Sequence, residues 1–383
     1  MRFSDVVQMV DEAMSIKFNT MVYELKQAGK QVLVMSLGEA YFDIPLFPMD
    51  VLPFPDIYHY SHSRGIPELR EKLSRYCRSE YDQPIDPDRE ILITAGSKAA
   101  VQMAFMSILN PGDEVLLYEP AWVSYTEQIK LCRARPVGIP YDESIFDTAR
   151  YINEKTRAIV VTTPHNPRGY VYTEAELRHL LDLAEKHDLW ILSDEAYSDF
   201  VTDGSFVSLG KLDRDKRHAV VFNSMSKNFG ISGWRIGYVV AHPELIYQIL
   251  KVNQHLITCP ATILSYYLAR YFDDLLAITR PQIRKLVEQR EILARYMGEI
   301  GLGYLPGAST FYFFVSIEPS RLSSEEFCRR LLLEELISTV PGIGYGASCD
   351  RFIRVSVGTA DMAENRRGLR RIKALIDSTL YGI

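Results

Sequence analysis

The sequence predicts an α/β fold: a large domain on a mostly parallel sheet flanked by helices, plus a smaller α+β domain. Three observations carry that expectation. From about residue 90 to residue 241, short apolar runs alternate with helical patterns, as strands buried on both faces do. Several of those runs end at Gly, Pro, Asn or Asp, where turns form. After residue 281 the pattern changes to one long helix, two shorter strands and two further helices.

In order, Ile91 to Thr94 reads as a strand and Ser97 to Leu109 as a helix. Glu114 to Tyr118 is a strand, and Val123 to Cys132 a helix. Ala158 to Thr162 is a strand, and Glu174 to His187 an amphipathic helix. Trp190 to Ser193, Ala219 to Asn223 and Ile236 to Ala241 are further strands. An open sheet of this kind takes its ligands at the carboxyl ends of its strands. Pro281 to Glu299 starts the smaller domain, with strands Phe311 to Ile317 and Phe352 to Val357 and helices Ser324 to Leu336 and Ala363 to Leu380. The expected division is an N-terminal segment, 1–48, packing with the small domain; a large domain, 49–280; and a small domain, 281–383.

The 383 residues suffice for two or three domains with a large core. A net charge of −6 argues against nucleic acid as the main partner. The basic clusters at 214–217 and 366–373 read as solvated faces. Five widely spaced cysteines without a Cys-x-x-Cys motif fit reduced thiols and offer no metal site. The first 14 residues lack a signal-peptide core, and no apolar run suits a membrane helix. A soluble, cytoplasmic protein is expected.

The richest stretch is Ser224-Met225-Ser226-Lys227, followed by Gly233-Trp234-Arg235-Ile236-Gly237. A lone lysine is ordinarily a solvated surface residue. One placed between an apolar run and a glycine-rich turn is a candidate for burial. A desolvated lysine loses its charge readily and forms a Schiff base with a carbonyl. Serines and an arginine beside it can hold a phosphate. That combination suggests pyridoxal phosphate.

The other motifs are individually weak. Gly96-Ser97-Lys98 follows a strand and opens a helix, so it is either a phosphate-binding turn or an ordinary capped one. Trp122 follows the next strand and either stacks on a flat ring or packs. Asn166 lies in Thr163-Pro164-His165-Asn166-Pro167, a turn whose amide is able to meet a phenolate. Asp194 ends a strand, where it either pairs with a pyridinium nitrogen or caps a helix. Tyr197, three residues on, either reaches the same ring's oxygen or packs. Arg351 and Arg354, three apart on a strand, point to opposite faces, and an inward one is able to clamp a carboxylate.

Their order along the chain is informative where each alone is not. With these residues in place, the chain resembles the class I/II aminotransferases, the fold-type-I pyridoxal phosphate enzymes, from Leu37-Gly38-Glu39 to Arg354. The resemblance is strongest from Ser224 to Gly237.

The resemblance implies transfer of an amino group between an L-amino acid and a 2-oxo acid. It implies that Lys227 holds pyridoxal phosphate as an aldimine and moves the substrate proton, and that Asp194 pairs with the ring nitrogen. Gly96, Ser97, Lys98, Ser224 and Arg235 correspond to the phosphate cup, with Lys98 acting mainly through its backbone N–H. Trp122 corresponds to the ring stacker, and Asn166 and Tyr197 to the partners of the ring oxygen. Arg354, helped by Asn166 and the Gly38 backbone, corresponds to the substrate carboxylate clamp. Tyr60 corresponds to a tyrosine reaching the neighbouring subunit's phosphate, which implies a homodimer with shared sites. The same scaffold also supports pyridoxal phosphate-dependent lyases, cyclases and oxidases, and binding proteins without activity.

Three departures bear on specificity. Gly38-Glu39-Ala40 stands where Gly-Glu-Pro is usual. Arg168 stands where threonine is common and is expected to be exposed. Cys259 to Thr262 lacks the basic residue of aspartate-specific members, leaving Arg64 or His62 as substitutes. Tyr41, Phe42 and Tyr312 hint at a pocket that tolerates aromatic substrates, or simply pack.

Overall fold

The apolar runs become the strands of one seven-stranded sheet in the computed structural model, which describes residues 2–380. Its order across the sheet is Ile91–Thr94, Gly237–Val240, Ala219–Ser224, Trp190–Asp194, Thr156–Thr162, Glu114–Tyr118, Arg135–Ile139. Neighbours are parallel except at Gly237–Val240, which runs antiparallel to both of its partners. The reason is local. Only one helical turn and one 3-10 turn separate Ser224 from Gly237, too short a connection for a parallel crossover. That reversal returns the chain beside the lysine turn.

Arg135–Ile139 is a strand that the sequence reading does not assign. It holds Pro136 and Gly138, lies at the sheet edge and is mostly uncovered, so neither composition nor alternation marks it. Helices Met14–Gln27, Pro67–Tyr81 and Pro243–Leu256 are likewise additions, the last two with proline in the first turn.

The long helix differs from its expected start at Pro281. It spans Thr262–Glu299, with Pro281 inside and non-helical backbone at Tyr271. A proline there removes one backbone bond and crowds the preceding turn. Burial on both sides offsets that cost. Tyr267, Leu268, Phe272 and Leu275 join the core under the main sheet, and Ile283, Leu286, Val287 and Leu293 join the core of the smaller one.

The smaller sheet is antiparallel, in the order Val340–Pro341, Phe352–Ser356, Tyr312–Ser316. A further parallel pair joins Leu33–Val34 to Ile337–Ser338. Phe18, Val22, Leu33 and Met35 therefore share a core with Phe313, Val315, Ile353 and Leu369. Arg354 lies opposite Phe314 and Ser356 opposite Tyr312. Tyr312 and Arg354 are thus diagonal neighbours on one face.

Glu119 ties the two sheets together. It sits just past the strand Glu114–Tyr118, and its carboxylate accepts from Ala347 N at 3.1 Å, Ser348 N at 2.8 Å and Ser348 Oγ at 2.6 Å. Ala121 N donates to Tyr345 O at 2.7 Å alongside. Among the described residues no helix is long and apolar enough to cross a membrane.

Candidate active site

A cavity of about 600 Å³ opens where the parallel strands end and the small sheet begins. Ser224 closes its strand in extended backbone, and its Oγ accepts from Ser226 N at 3.2 Å. That cap starts the single turn Met225–Asn228, which carries the Lys227 side chain into the cavity. Lys227 Nζ donates to Gly38 O. Burial pulls its ammonium down to about 8; Arg354 and Arg235 push the same way, against Glu39 and Asp194. An amine with that value is still mostly protonated near physiological pH, but its neutral fraction is far larger than that of a solvated lysine.

Glycine is required beside it at two positions. Gly96 has φ +83°, and a Cβ there would stand 2.4 Å from the Arg235 guanidinium. A Cβ on Gly237 would stand 2.4 Å from Ser97 N. Their absence lets the start of the helix Ser97–Ile108 approach Arg235, which bonds Ser232 O at 2.7 Å and Ser226 Oγ at 3.3 Å. A helix start, an arginine and two serines make a cup for an anion. Lys98 also reaches the cavity, with Nζ over the Trp122 ring at 4.9 Å from its centroid.

Asp194, at the end of Trp190–Asp194, is buried. Its Oδ2 accepts from Tyr125 Oη at 2.7 Å and its Oδ1 from Ala196 N at 3.1 Å. Burial nevertheless raises the carboxyl above its ordinary value, against those two donors and Lys227. A cation in the cavity would favour its charged form. Asn166 Nδ2 donates to Tyr197 Oη at 3.4 Å, and Tyr197 Oη lies 2.9 Å from Tyr312 Oη. Arg354 is 5 % exposed and donates from Nη2 to Ser36 O at 2.7 Å.

Two buried polar atoms in this cavity have no hydrogen-bond partner among the described residues: Asn166 Oδ1 and Arg354 Nε. Buried groups of this kind are normally satisfied. An orphaned guanidinium donor at one end and an anion cup at the other fit an occupant with two anionic ends. The donor set therefore fits a phosphorylated cofactor with an amino acid carboxylate beside it.

The structure brings together Gly38, Ser97, Lys98, Trp122, Asn166, Asp194, Tyr197, Ser224, Lys227, Arg235 and Arg354 around one cavity, with Gly96 behind it. Tyr60 lies outside it and is 87 % exposed. Tyr41 and Phe42 also lie outside, so of the three aromatic hints only Tyr312 lines the site. Arg64 and His62 also lie outside: the Arg64 guanidinium donates to Asp88 O, and His62 Nδ1 accepts from the Arg64 backbone N at 3.1 Å. Arg168 is half-buried rather than exposed; its guanidinium stacks on Tyr170 at 4.9 Å and Nε donates to Pro306 O. Tyr125 and the contact of Glu39 with Ser232 Oγ are additions to the sequence reading. Tyr125 stands one turn past Trp122, in the first turn of a helix facing the strand ends, and that placement is the signal for it.

The sequence matches the family "Aminotransferase class I and II" over residues 23–372. The chain belongs to that family. This aminotransferase is 31% identical over 352 residues to an aspartate aminotransferase of Pyrococcus abyssi, covering 88% of this chain and 90% of the relative. It is 31% identical over 373 residues to an aromatic-amino-acid aminotransferase 2 of Thermococcus litoralis, covering 94% and 95%. Among solved structures, aspartate aminotransferase of Thermus thermophilus with maleate superposes with TM-score 0.88 and 27% identity, over 98% of this chain and 100% of that one. The protein is an enzyme of the pyridoxal phosphate-dependent aminotransferase class, and its fold is that of the fold-type-I members.

Proposed function

We propose that Lys227 is the residue on which this aminotransferase turns, and that it exchanges amino groups between L-amino acids and 2-oxo acids with pyridoxal phosphate held in the cavity. The observation that supports this most is a half-buried lysine of lowered basicity facing a buried strand-end aspartate across one cavity. Bound pyridoxal phosphate supplies an electron sink for the carbanion formed at the substrate α-carbon. Asp194 faces the ring nitrogen and favours its protonated form. Ser97 N–H, Ser224, Ser226 and Arg235 hold the phosphate, with Lys98 offering its backbone N–H and a charge above Trp122. Asn166 and Tyr197 meet the ring oxygen. Arg354, with its unpaired Nε, binds the substrate α-carboxylate beside Gly38. The freed Lys227 amine, of near-neutral pKa, takes and returns the α-proton.

The division into segment 1–48, large domain 49–280 and small domain 281–383 belongs to the same reading. The two packing partners of the Thr262–Glu299 helix support it. A cytoplasmic homodimer also belongs to this reading. Leu46, Phe54, Tyr58 and Tyr60 are each at least 70 % exposed, an apolar surface suited to a second copy, with Tyr60 directed to the partner's phosphate.

The test is the visible spectrum of the purified protein with a panel of amino acids. A cofactor band that bleaches with an amino acid and returns with a 2-oxo acid is expected. Lys227→Ala is expected to lack that band and to lose roughly 10⁴-fold in turnover; an unchanged rate would sink the proposal.

A further inference from the structure

The phenol of Tyr312 has no part in the assignment above, yet it occupies the junction of the two halves of the site. It is fully buried. Its Oη lies 2.9 Å from Tyr197 Oη. The two rings meet edge-on, with centroids 5.7 Å apart at 75°. The Arg354 guanidinium lies over the Tyr312 ring at 4.7 Å. Its backbone is held from both sides: Arg290 Nε donates to Tyr312 O at 3.0 Å, and Tyr312 N donates to Thr310 Oγ1 at 3.2 Å.

From this geometry we infer that Tyr312 is a positioning residue that fixes the direction of the Tyr197 proton. The inference rests on the cofactor reading above. Two phenols in contact share one proton between them. If Tyr197 donates to Tyr312, its oxygen has no proton left for the cavity. If Tyr312 donates, Tyr197 accepts from Tyr312 and from Asn166 Nδ2, and its own proton points into the cavity. Other groups near the pair favour the second arrangement. Arg354 stacks on the Tyr312 ring and makes its hydroxyl a better donor. Burial keeps both phenols protonated, and the Asp194 charge adds to that at Tyr197 and the Glu39 charge at Tyr312. A phenolate oxygen of the occupant then receives a hydrogen bond whose direction is set before binding.

The readout is the pH titration of the cofactor's visible band, without substrate. A protonated Lys227 nitrogen joined to the cofactor would itself offer a donor to the phenolate oxygen. A deprotonated one would leave that oxygen dependent on Tyr197. Weakening the Tyr197 bond therefore favours protonation and raises the midpoint. Besides Tyr197 and Tyr312, the charged groups bearing on that nitrogen are Glu39, Arg354, Arg235 and Asp194, all unchanged in the variants.

Tyr312→Phe is expected to raise the midpoint by roughly half a pH unit, the effect of one neutral hydrogen bond. Tyr197→Phe is expected to raise it further. Adding Tyr312→Phe to Tyr197→Phe is expected to change nothing more. Melting temperatures of the three variants check that each is folded; phenylalanine keeps the ring in both places. An intact band with an unmoved midpoint in Tyr312→Phe overturns the inference. So does a shift that persists undiminished in the double variant, since the effect would then bypass Tyr197. A wild-type protein that shows no band on addition of pyridoxal phosphate overturns the cofactor reading and this inference with it.

Discussion

The floor and the roof of the cavity are built in different ways. The floor consists of residues at the carboxyl ends of neighbouring parallel strands: Asn166 after Thr156–Thr162, Asp194 at the end of Trp190–Asp194, and Ser224 with Lys227 after Ala219–Ser224. Each is placed by the turn that follows its own strand. The roof consists of Ser36, Gly38, Tyr312 and Arg354, brought together across large separations in the chain, as in the Arg354–Ser36 bond of residues 318 apart. Most floor groups already have partners, such as the two donors to Asp194. Each half keeps one buried atom unpaired: the floor an amide acceptor, Asn166 Oδ1, and the roof a guanidinium donor, Arg354 Nε. Under the proposed assignment, cofactor chemistry rests on local geometry, and substrate recognition on long-range pairing. The two are able to vary separately.

That separation is open to direct attack. Asp194→Asn removes the buried strand-end carboxylate facing Lys227 and is expected to cut kcat by roughly 10²–10³-fold while the cofactor still binds; steady-state kinetics with a spectrum of the loaded protein checks it. Arg354→Lys keeps a charge but loses the two parallel hydrogen bonds. It is expected to raise the amino acid KM by about 10–100-fold with a smaller effect on kcat. An unchanged KM with a collapsed kcat would show that floor and roof are not independent.

A smaller effect concerns the lysine itself. With its amine lowered to about 8, the cofactor-free protein is expected to capture pyridoxal phosphate faster as pH rises. Below that value the neutral fraction, and so the rate, grows about tenfold per pH unit; above it the rate levels. Glu39 acts against the lowering, so Glu39→Gln is expected to move the midpoint down. A profile still rising past pH 10 would place Lys227 among ordinary solvated lysines.

The same contrast explains what was legible in the sequence. Lys227, Asp194, Asn166 and Gly96 were readable because each lies within a few residues of the end of an apolar run, and a strand end is a local property. Without the family resemblance, Arg354 was readable only as one of two arginines on a strand. Register against Phe314 decides that it faces the cavity, whereas Arg351 bonds to Leu322 O and Glu318 O. Tyr125 was not singled out, and Tyr312 was read only as an aromatic hint, because the partners that place them in the site lie 69 and 115 residues away. Arg168 was expected in solvent, but the loop that it docks on, at Pro306, comes from beyond the sheet. The helix through Pro281 was misplaced for a related reason: burial against two cores overrides a local stop signal.

Tyr125 sets the finest test of the floor. Its hydroxyl donates to Asp194 Oδ2 at 2.7 Å and lies 3.1 Å from Thr162 Oγ1. It is fully buried, and burial with the Asp194 charge keeps it protonated. Tyr125→Phe removes one donor to the charged form of Asp194, so the carboxyl rises further and pairs less well with a protonated ring nitrogen. A hydrogen bond to a buried charge contributes about 1.5–3 kcal/mol. The ring cation and Ala196 N–H compensate for part of that. The expected outcome is a fall in kcat of roughly tenfold, with an unchanged amino acid KM. Asp194→Asn should mask it, because an amide has no charge for Tyr125 to stabilise. Were Tyr125→Phe to lower activity equally in the Asp194→Asn background, the tyrosine would act by packing against Trp122, its edge-on neighbour at 5.1 Å, and not through the aspartate.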